Sequence, residues 1–282
     1  MMSESVDTRL IRIALKEDVG KGDITTRALR LAGRRGKASV IAKSNGVISG
    51  IDQFRAVFRL LSPRVSFGKA VRNGAQVFPG TEVIRITGPL DTLLIGERTS
   101  MNILSHLSGV ATLTSRFLEK VRQYNVKILD TRKTMPGMRA WEKSAVKHGG
   151  GTNHRQGLYD MYLIKENHIA AEGDQTRALE KIKRDSVKTK ARIEIEVKSF
   201  AEMKRILVYK PDFILIDNFS VSDMKKAMRI AKSFDRKIIL EASGNINLKN
   251  VEKVAATGVD RISIGALTHS APALDLSFRI LD

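Results

Sequence analysis

From about Lys127 onward, short β-branched runs alternate with longer segments of helical periodicity. The predicted strands are Lys127 to Asp130, Tyr162 to Lys165, Ile193 to Val197, Phe213 to Asp217, Lys237 to Glu241 and Arg261 to Gly265. Helix-like stretches lie between them, at Ala170 to Arg184, Phe200 to Tyr209, Val221 to Phe234 and Leu248 to Thr257. Strands separated by helices of this length pair in parallel through right-handed crossovers, as an α/β barrel or an open doubly wound sheet. Five of the runs carry a charge at their last or next-to-last position: Asp130, Lys165, Glu196, Asp217 and Glu241. One such charge is a solvated edge, but five in series converge on one rim, which in barrels is where catalytic groups sit. That favours the barrel.

The first hundred residues read differently. Gly36 to Gly50 and Gly80 to Gly88 are strand-like and bounded by glycine, with helix-like Ile51 to Leu61 between them. This predicts a small α+β domain ahead of the barrel. Gly96 to Arg116 then reads as a long linking helix in which Gly109 is a candidate break.

Composition narrows the class. With 42% hydrophobic and 28% charged residues, the chain is globular and not disordered. It has no apolar run of membrane-spanning length, and its start lacks the apolar core of a signal peptide. Cysteine is absent, which excludes disulfides and thiolate metal sites and points to a cytoplasmic protein. The 49 Lys and Arg against 30 Asp and Glu, formally +19, favour anionic partners. These cations are dispersed, apart from short clusters such as Arg34-Arg35 and Lys181 to Lys190. Aromatics, the usual stacking platform for single strands, are only 5%. Specific nucleic-acid binding is therefore not expected, and a strongly anionic small substrate stays open.

The densest chemistry lies between Asp130 and His168. Arg132 and Lys133 follow the first barrel strand directly. Arg can grip a carboxylate with two parallel hydrogen bonds, while Lys supplies a compact charge. Gly149-Gly150-Gly151 then permits close backbone approach just before His154 and Arg155. With Lys165 these cations gather at the ends of adjacent elements, and such a cluster calls for an anionic partner. Glu196 and Asp217 can ligate Mg2+, directly or through water; an ion-pair network with neighbouring cations is the equal alternative. The last strands lead into Ser243, Gly244 and Asn245 and into Gly265, small residues where barrels bind phosphate; a structural turn is the alternative. Walker, GxGxxG, HExxH and nucleophile-elbow motifs are all missing.

The segment TRKTMPGMRAWEKSAVKHGGGTNHRQGLYDMYLIKENH resembles the central signature of the quinolinate phosphoribosyltransferases, the carboxylating nicotinate-nucleotide pyrophosphorylases. EDVGKGDITT, GERTSMNILSHLSGVAT, IEIEV, FILIDNF, LEASGNI and GVDRISIGALTHSAPALDLSF resemble the same family's blocks, in its order.

The resemblance implies an N-terminal α/β sandwich over 1–105, joined by the tail 268–282, and an incomplete, seven-stranded-type α/β barrel over 106–267. It implies transfer of phosphoribosyl from phosphoribosyl pyrophosphate to quinolinate with decarboxylation, a step of NAD biosynthesis. It also implies a homodimer with shared active sites, and leaves open whether dimers pair further into a hexamer. By analogy Arg98 would reach the partner's quinolinate, and Arg132, His154, Arg155 and Lys165 would line the dicarboxylate pocket. Lys133 would lie between the two substrates. Glu196 and Asp217 would hold ribose hydroxyls and Mg2+. Ser243, Gly244, Asn245 and Gly265 would cradle phosphate, with His269 close by. Two other readings stand beside this one: a divergent relative acting on another acidic ring, and a basic nucleic-acid binder built on a vestigial barrel.

Overall fold

The computed structural model describes residues 7–281; part of the polar start read above lies outside the described residues. The described residues divide into two compact units, residues 7–115, 135–150 and 270–281, and residues 116–134 and 151–269.

In the first unit, α1 (Arg9–Val19) and α2 (Ile24–Ala28) precede β1 (Arg35–Ala42), β2 (Gly46–Val47) and α3 (Ile51–Leu61). β3 (Ser66–Ala70), β4 (Gln76–Val77) and β5 (Glu82–Pro89) follow, then α4 (Leu90–Val121), whose residues from Arg116 on belong to the second unit, and α5 (Arg139–His148). β1 is the centre of an antiparallel sheet, flanked by β5 and by the C-terminal strand Leu276–Leu281; β3 adds to β5. Helix α3 presents Ile51, Phe54, Val57 and Phe58 on its buried face. Phe54 and Phe58 pack 5.0 Å apart, in a core shared with Ala38, Val40, Ile84 and Ile86. The α3 start is closed by Asn73, whose Oδ1 accepts from the N–H groups of Gly50 and Ile51.

Helix α4 runs through Gly109 without a break. Glycine is there for clearance: a Cβ at 109 would lie 2.1 Å from the carbonyl oxygen of Pro272. The sequence signal of a helix breaker was in fact the mark of a close backbone approach.

The second unit is a parallel sheet wrapped by helices. In chain order these are β6 (Lys127–Leu129), β7 (Tyr162–Ile164), α6 (Glu166–Glu172), α7 (Gln175–Thr189), β8 (Ile193–Val197) and α8 (Phe200–Leu207). β9 (Phe213–Asp217), α9 (Val221–Phe234), β10 (Ile239–Ser243), α10 (Val251–Ala255), β11 (Arg261–Ser263) and α11 (Ala266–His269) complete it. The strand order is β6-β11-β10-β9-β8-β7. The sheet does not close among the described residues, and Thr152 adds a single parallel bridge to Leu129. The incomplete barrel thus has six strands and a bridge where a seven-stranded type was expected. Its strands are buried on both faces, as parallel sheets require. Ser199, Ser220 and Asp174 start α8, α9 and α7 by accepting N–H groups of Glu202, Asp223 and Arg177.

Two strand-end expectations need correction. β10 begins at Ile239 and ends at Ser243, so Glu241 is mid-strand and fully buried, not on the rim. Asp130 does follow β6, but it too is fully buried, where its Oδ1 accepts the His154 N–H at 2.9 Å.

Candidate active site

One cavity of about 600 Å3 opens at the C-terminal ends of these strands. Arg132, Lys133, His154, Arg155, Lys165, Glu196, Asp217, Ser243, Gly244, Asn245, Gly265 and His269 all line it. Arg98 does not: it lies on α4 in the first unit, with its side chain 66% exposed and 3.8 Å from Glu97.

Parallel register brings the acidic pair together. Val197 pairs with Ile216 and Ser243 with Asp217, so Glu196 and Asp217 come from neighbouring strands that end at one level. Lys165 Nζ donates to Glu196 Oε2 at 2.8 Å, and Asn218 Nδ2 donates to Asp217 Oδ2 at 2.8 Å. Both sequence readings of this pair, ion-pair network and metal site, are therefore compatible with one geometry, because each carboxylate keeps an oxygen without a hydrogen bond among the described residues.

Lys133 is held by its backbone. Its N–H donates to Thr131 Oγ1 (3.0 Å), and its carbonyl accepts from Thr268 Oγ1 (2.7 Å). A Cβ at Gly265 would lie 3.0 Å from Lys133 Cδ and 3.1 Å from His269 Nε2, so a bare backbone here lets the Lys133 stem pass. Across the cleft, Gly244 has φ +96° and a Cβ there would stand 2.1 Å from Asn218 Oδ1. Asn218 and Asn245 also carry positive φ, and Asn245 Nδ2 donates to Asn218 Oδ1 at 3.2 Å. Ser243-Gly244-Asn245 and Asn218 form one compact polar turn.

Beneath the cations lies an acidic floor. Alternation along β8 puts Glu194 on the same side as Glu196, one layer deeper. Glu194 and Glu241 are both fully buried, and His154 Nε2 sits 3.0 Å from Glu194 Oε2 and 3.3 Å from Glu241 Oε1. The Arg261 Nε stands 3.1 Å from Glu241 Oε2. Burial works against the imidazolium, but the two carboxylates prevail and push His154 up to about 9. The Arg155 N–H, 2.7 Å from Nδ1, favours the neutral ring. Two buried carboxylates outweigh one amide dipole, so the cluster as a unit keeps its proton. Burial, and then the Glu241 charge, push Glu194 up as well. Burial also opposes ionisation of Glu241, but His154 and Arg261 outweigh it and hold its pKa down. Arg155, whose Nη1 donates to the Met161 carbonyl at 3.1 Å, is lowered by burial and then by Arg132, with Glu194 opposing.

Three groups of consequence escaped the sequence reading. Glu194 was legible in principle, since IEIEV repeats a carboxylate at i and i+2 of an otherwise apolar strand. Asn218 and Thr268 carry no local signal, because their roles arise only from contacts across the fold.

The cleft combines anchored cations, a carboxylate pair and a small-residue turn, a set suited to binding a polyanion beside a sugar or a cation. The family description "Quinolinate phosphoribosyl transferase, N-terminal domain" matches residues 23–108, and "Quinolinate phosphoribosyl transferase, C-terminal domain" matches residues 110–279. The nicotinate-nucleotide pyrophosphorylase (carboxylating) of Mycobacterium leprae is 40% identical over 94% of this chain and 94% of its own length. A quinolinate phosphoribosyltransferase (decarboxylating) of Nicotiana tabacum is 35% identical over 96% of this chain and 81% of its own. The crystal structure of nicotinate-nucleotide pyrophosphorylase from Ehrlichia chaffeensis superposes with a TM-score of 0.92 at 35% identity, covering 99% of this chain and all of that one. This chain belongs to the quinolinate phosphoribosyltransferase family.

Proposed function

We propose that this protein transfers phosphoribosyl from phosphoribosyl pyrophosphate to quinolinate, releasing pyrophosphate and CO2 and forming nicotinate mononucleotide. The observation that carries this reading is the convergence in one cleft of four cations, Arg132, Lys133, Arg155 and Lys165, with Glu196, Asp217 and the Ser243–Asn245 turn. The cations match a ring bearing two carboxylates, and the acidic pair and turn match a ribose carrying phosphates.

The bond changes need no protein nucleophile. The quinolinate ring nitrogen bonds the anomeric carbon as its bond to pyrophosphate breaks, through a transition state with positive charge on the sugar. The nitrogen becomes a pyridinium, which takes up the electron demand when the adjacent C–C bond breaks to release CO2. The carbon left behind then takes up a proton. Arg132 and Arg155 position the dicarboxylate, and Lys133 and Lys165 stand nearer the reacting centre. Fixed charges and alignment of this kind lower barriers by several kcal/mol.

Glu196 and Asp217 fit Mg2+, because each offers a hard oxygen free of the Lys165 and Asn218 bonds. When bound, the ion would neutralise charge on the departing pyrophosphate. The exposed Arg98 supports the reading that it completes a partner's site in a homodimer. The absence of cysteine, and of a helix long and apolar enough to cross a membrane among the described residues, supports a cytoplasmic setting.

The test is an assay of purified protein with quinolinate, phosphoribosyl pyrophosphate and Mg2+. Mononucleotide, CO2 and pyrophosphate should appear in equal amounts. No product across a range of salt and temperature would overturn the assignment.

A further inference from the structure

The second unit holds another cavity of about 600 Å3, lined by residues at the opposite, N-terminal ends of the same strands. Arg261, the first residue of β11, decides its chemistry. Its side chain is only 12% exposed, its Nε is engaged with Glu241, and its guanidinium carbon lies 4.3 Å from the centroid of the Phe213 ring. Its two Nη nitrogens have no acceptor among the described residues. Those donors are left to the cavity, where an anion would supply the acceptors the protein does not.

Its surroundings add charge. Arg192 stacks on the same Phe213 ring at 5.5 Å, and Lys127 begins β6; neither has an acidic partner among the described residues. The two acids that line the cavity are already engaged. Asp260 meets Lys232 and the Leu240 N–H, while Asp160 accepts from the N–H groups of Gln156 and Gly157. The one aromatic surface is covered by two guanidinium groups, which leaves no shelf for a flat ring. A compact, highly charged oxyanion is what remains.

We propose that this mouth is a second binding site, for a small polyanion of the phosphate class, gripped by the Arg261 Nη donors and steadied by Arg192 and Lys127. The proposal does not rest on the reaction assigned to the cleft.

Equilibrium dialysis of labelled inorganic pyrophosphate at low salt tests it, using wild type and the variants Arg192→Glu, Lys133→Ala and Lys225→Glu. Wild type should bind two equivalents per chain, one in each cavity. Arg192 is exposed, so its replacement should leave the fold intact, checked by an unchanged thermal transition, while weakening one equivalent at least tenfold. Lys133→Ala should weaken the other equivalent. Lys225→Glu, the same charge change on α9 away from both cavities, should leave two. The proposal is overturned if wild type binds no equivalent that survives Lys133→Ala. It also falls if Arg192→Glu binds as wild type does, or if Lys225→Glu is as damaging as Arg192→Glu. Two equivalents that both survive Lys133→Ala while one falls with Arg192→Glu would support the mouth and count only against Lys133 in the cleft.

Discussion

Adding one methyl group at Gly244 should separate the two halves of the cleft. Gly244 has φ +96°, a region that costs an L-residue about 1–2 kcal/mol. The new Cβ would also stand 2.1 Å from Asn218 Oδ1 and 3.0 Å from the Asn218 backbone nitrogen. Relief requires turning the Asn218 side chain, which then gives up its bonds to Asp217 Oδ2 and from Asn245 Nδ2. At about 0.5–1 kcal/mol each for such exposed bonds, the sum is about 3 kcal/mol, confined to this turn. If that turn cradles the phosphoribosyl donor, Gly244→Ala loses about a hundredfold in kcat/KM for the donor. If Arg132 and Arg155 hold the dicarboxylate, that side is untouched, so affinity for phthalate, a benzene ring with two adjacent carboxylates, should hold within threefold. Gly258→Ala is the control: its φ is +87°, but the nearest atom to a new Cβ is 4.0 Å away, so it carries backbone strain alone and should lose stability without a kinetic effect. Steady-state kinetics with each substrate varied, with calorimetry for phthalate, makes the comparison. A folded Gly244→Ala enzyme with donor kcat/KM within threefold of wild type would refute the argument.

Other consequences follow from the same geometry. Because His154 is raised from 6.5 to about 9 in the fold, its contribution to stability is complete below pH 6.5 and is lost as pH rises through 9. Denaturant titrations should show a fall of up to about 3 kcal/mol over that window, starting at lower pH in Glu241→Gln; a flat profile from pH 7 to 9.5 would contradict it. Gly109→Ala, a change that normally stabilises a helix interior by about 1 kcal/mol, should instead destabilise by about 1–3 kcal/mol, because Pro272 backbone occupies the methyl's place. A raised melting temperature would refute this. Arg132→Ala should chiefly raise the quinolinate KM, and an unchanged KM would remove Arg132 from that role. Thr268→Val deletes the 2.7 Å bond to the Lys133 carbonyl and should lower kcat about tenfold, at a cost near 1 kcal/mol; wild-type kcat would show that Lys133 needs no such support.

The period of the apolar residues determined much of this protein. Strands recurring between helices specified a parallel sheet, and α3 and α9 begin and end where their periodicity does. Residues within a few positions of a strand end, Arg132, Lys133, Lys165, Glu196 and Asp217, were legible because strand direction alone places them on a common rim. What the sequence could not decide was depth. Glu241 and Asp217 look alike as charges closing an apolar run, yet one lies mid-strand beneath His154 and the other faces the cleft, because register with neighbouring strands sets the level of each residue. Gly109 likewise read as a break until the tail was seen to cross it. The tertiary structure alone paired Thr268 with Lys133, set Asn218 against Gly244 and left the Arg261 Nη donors facing a second cavity, since these contacts join residues far apart in the chain and no local pattern encodes them.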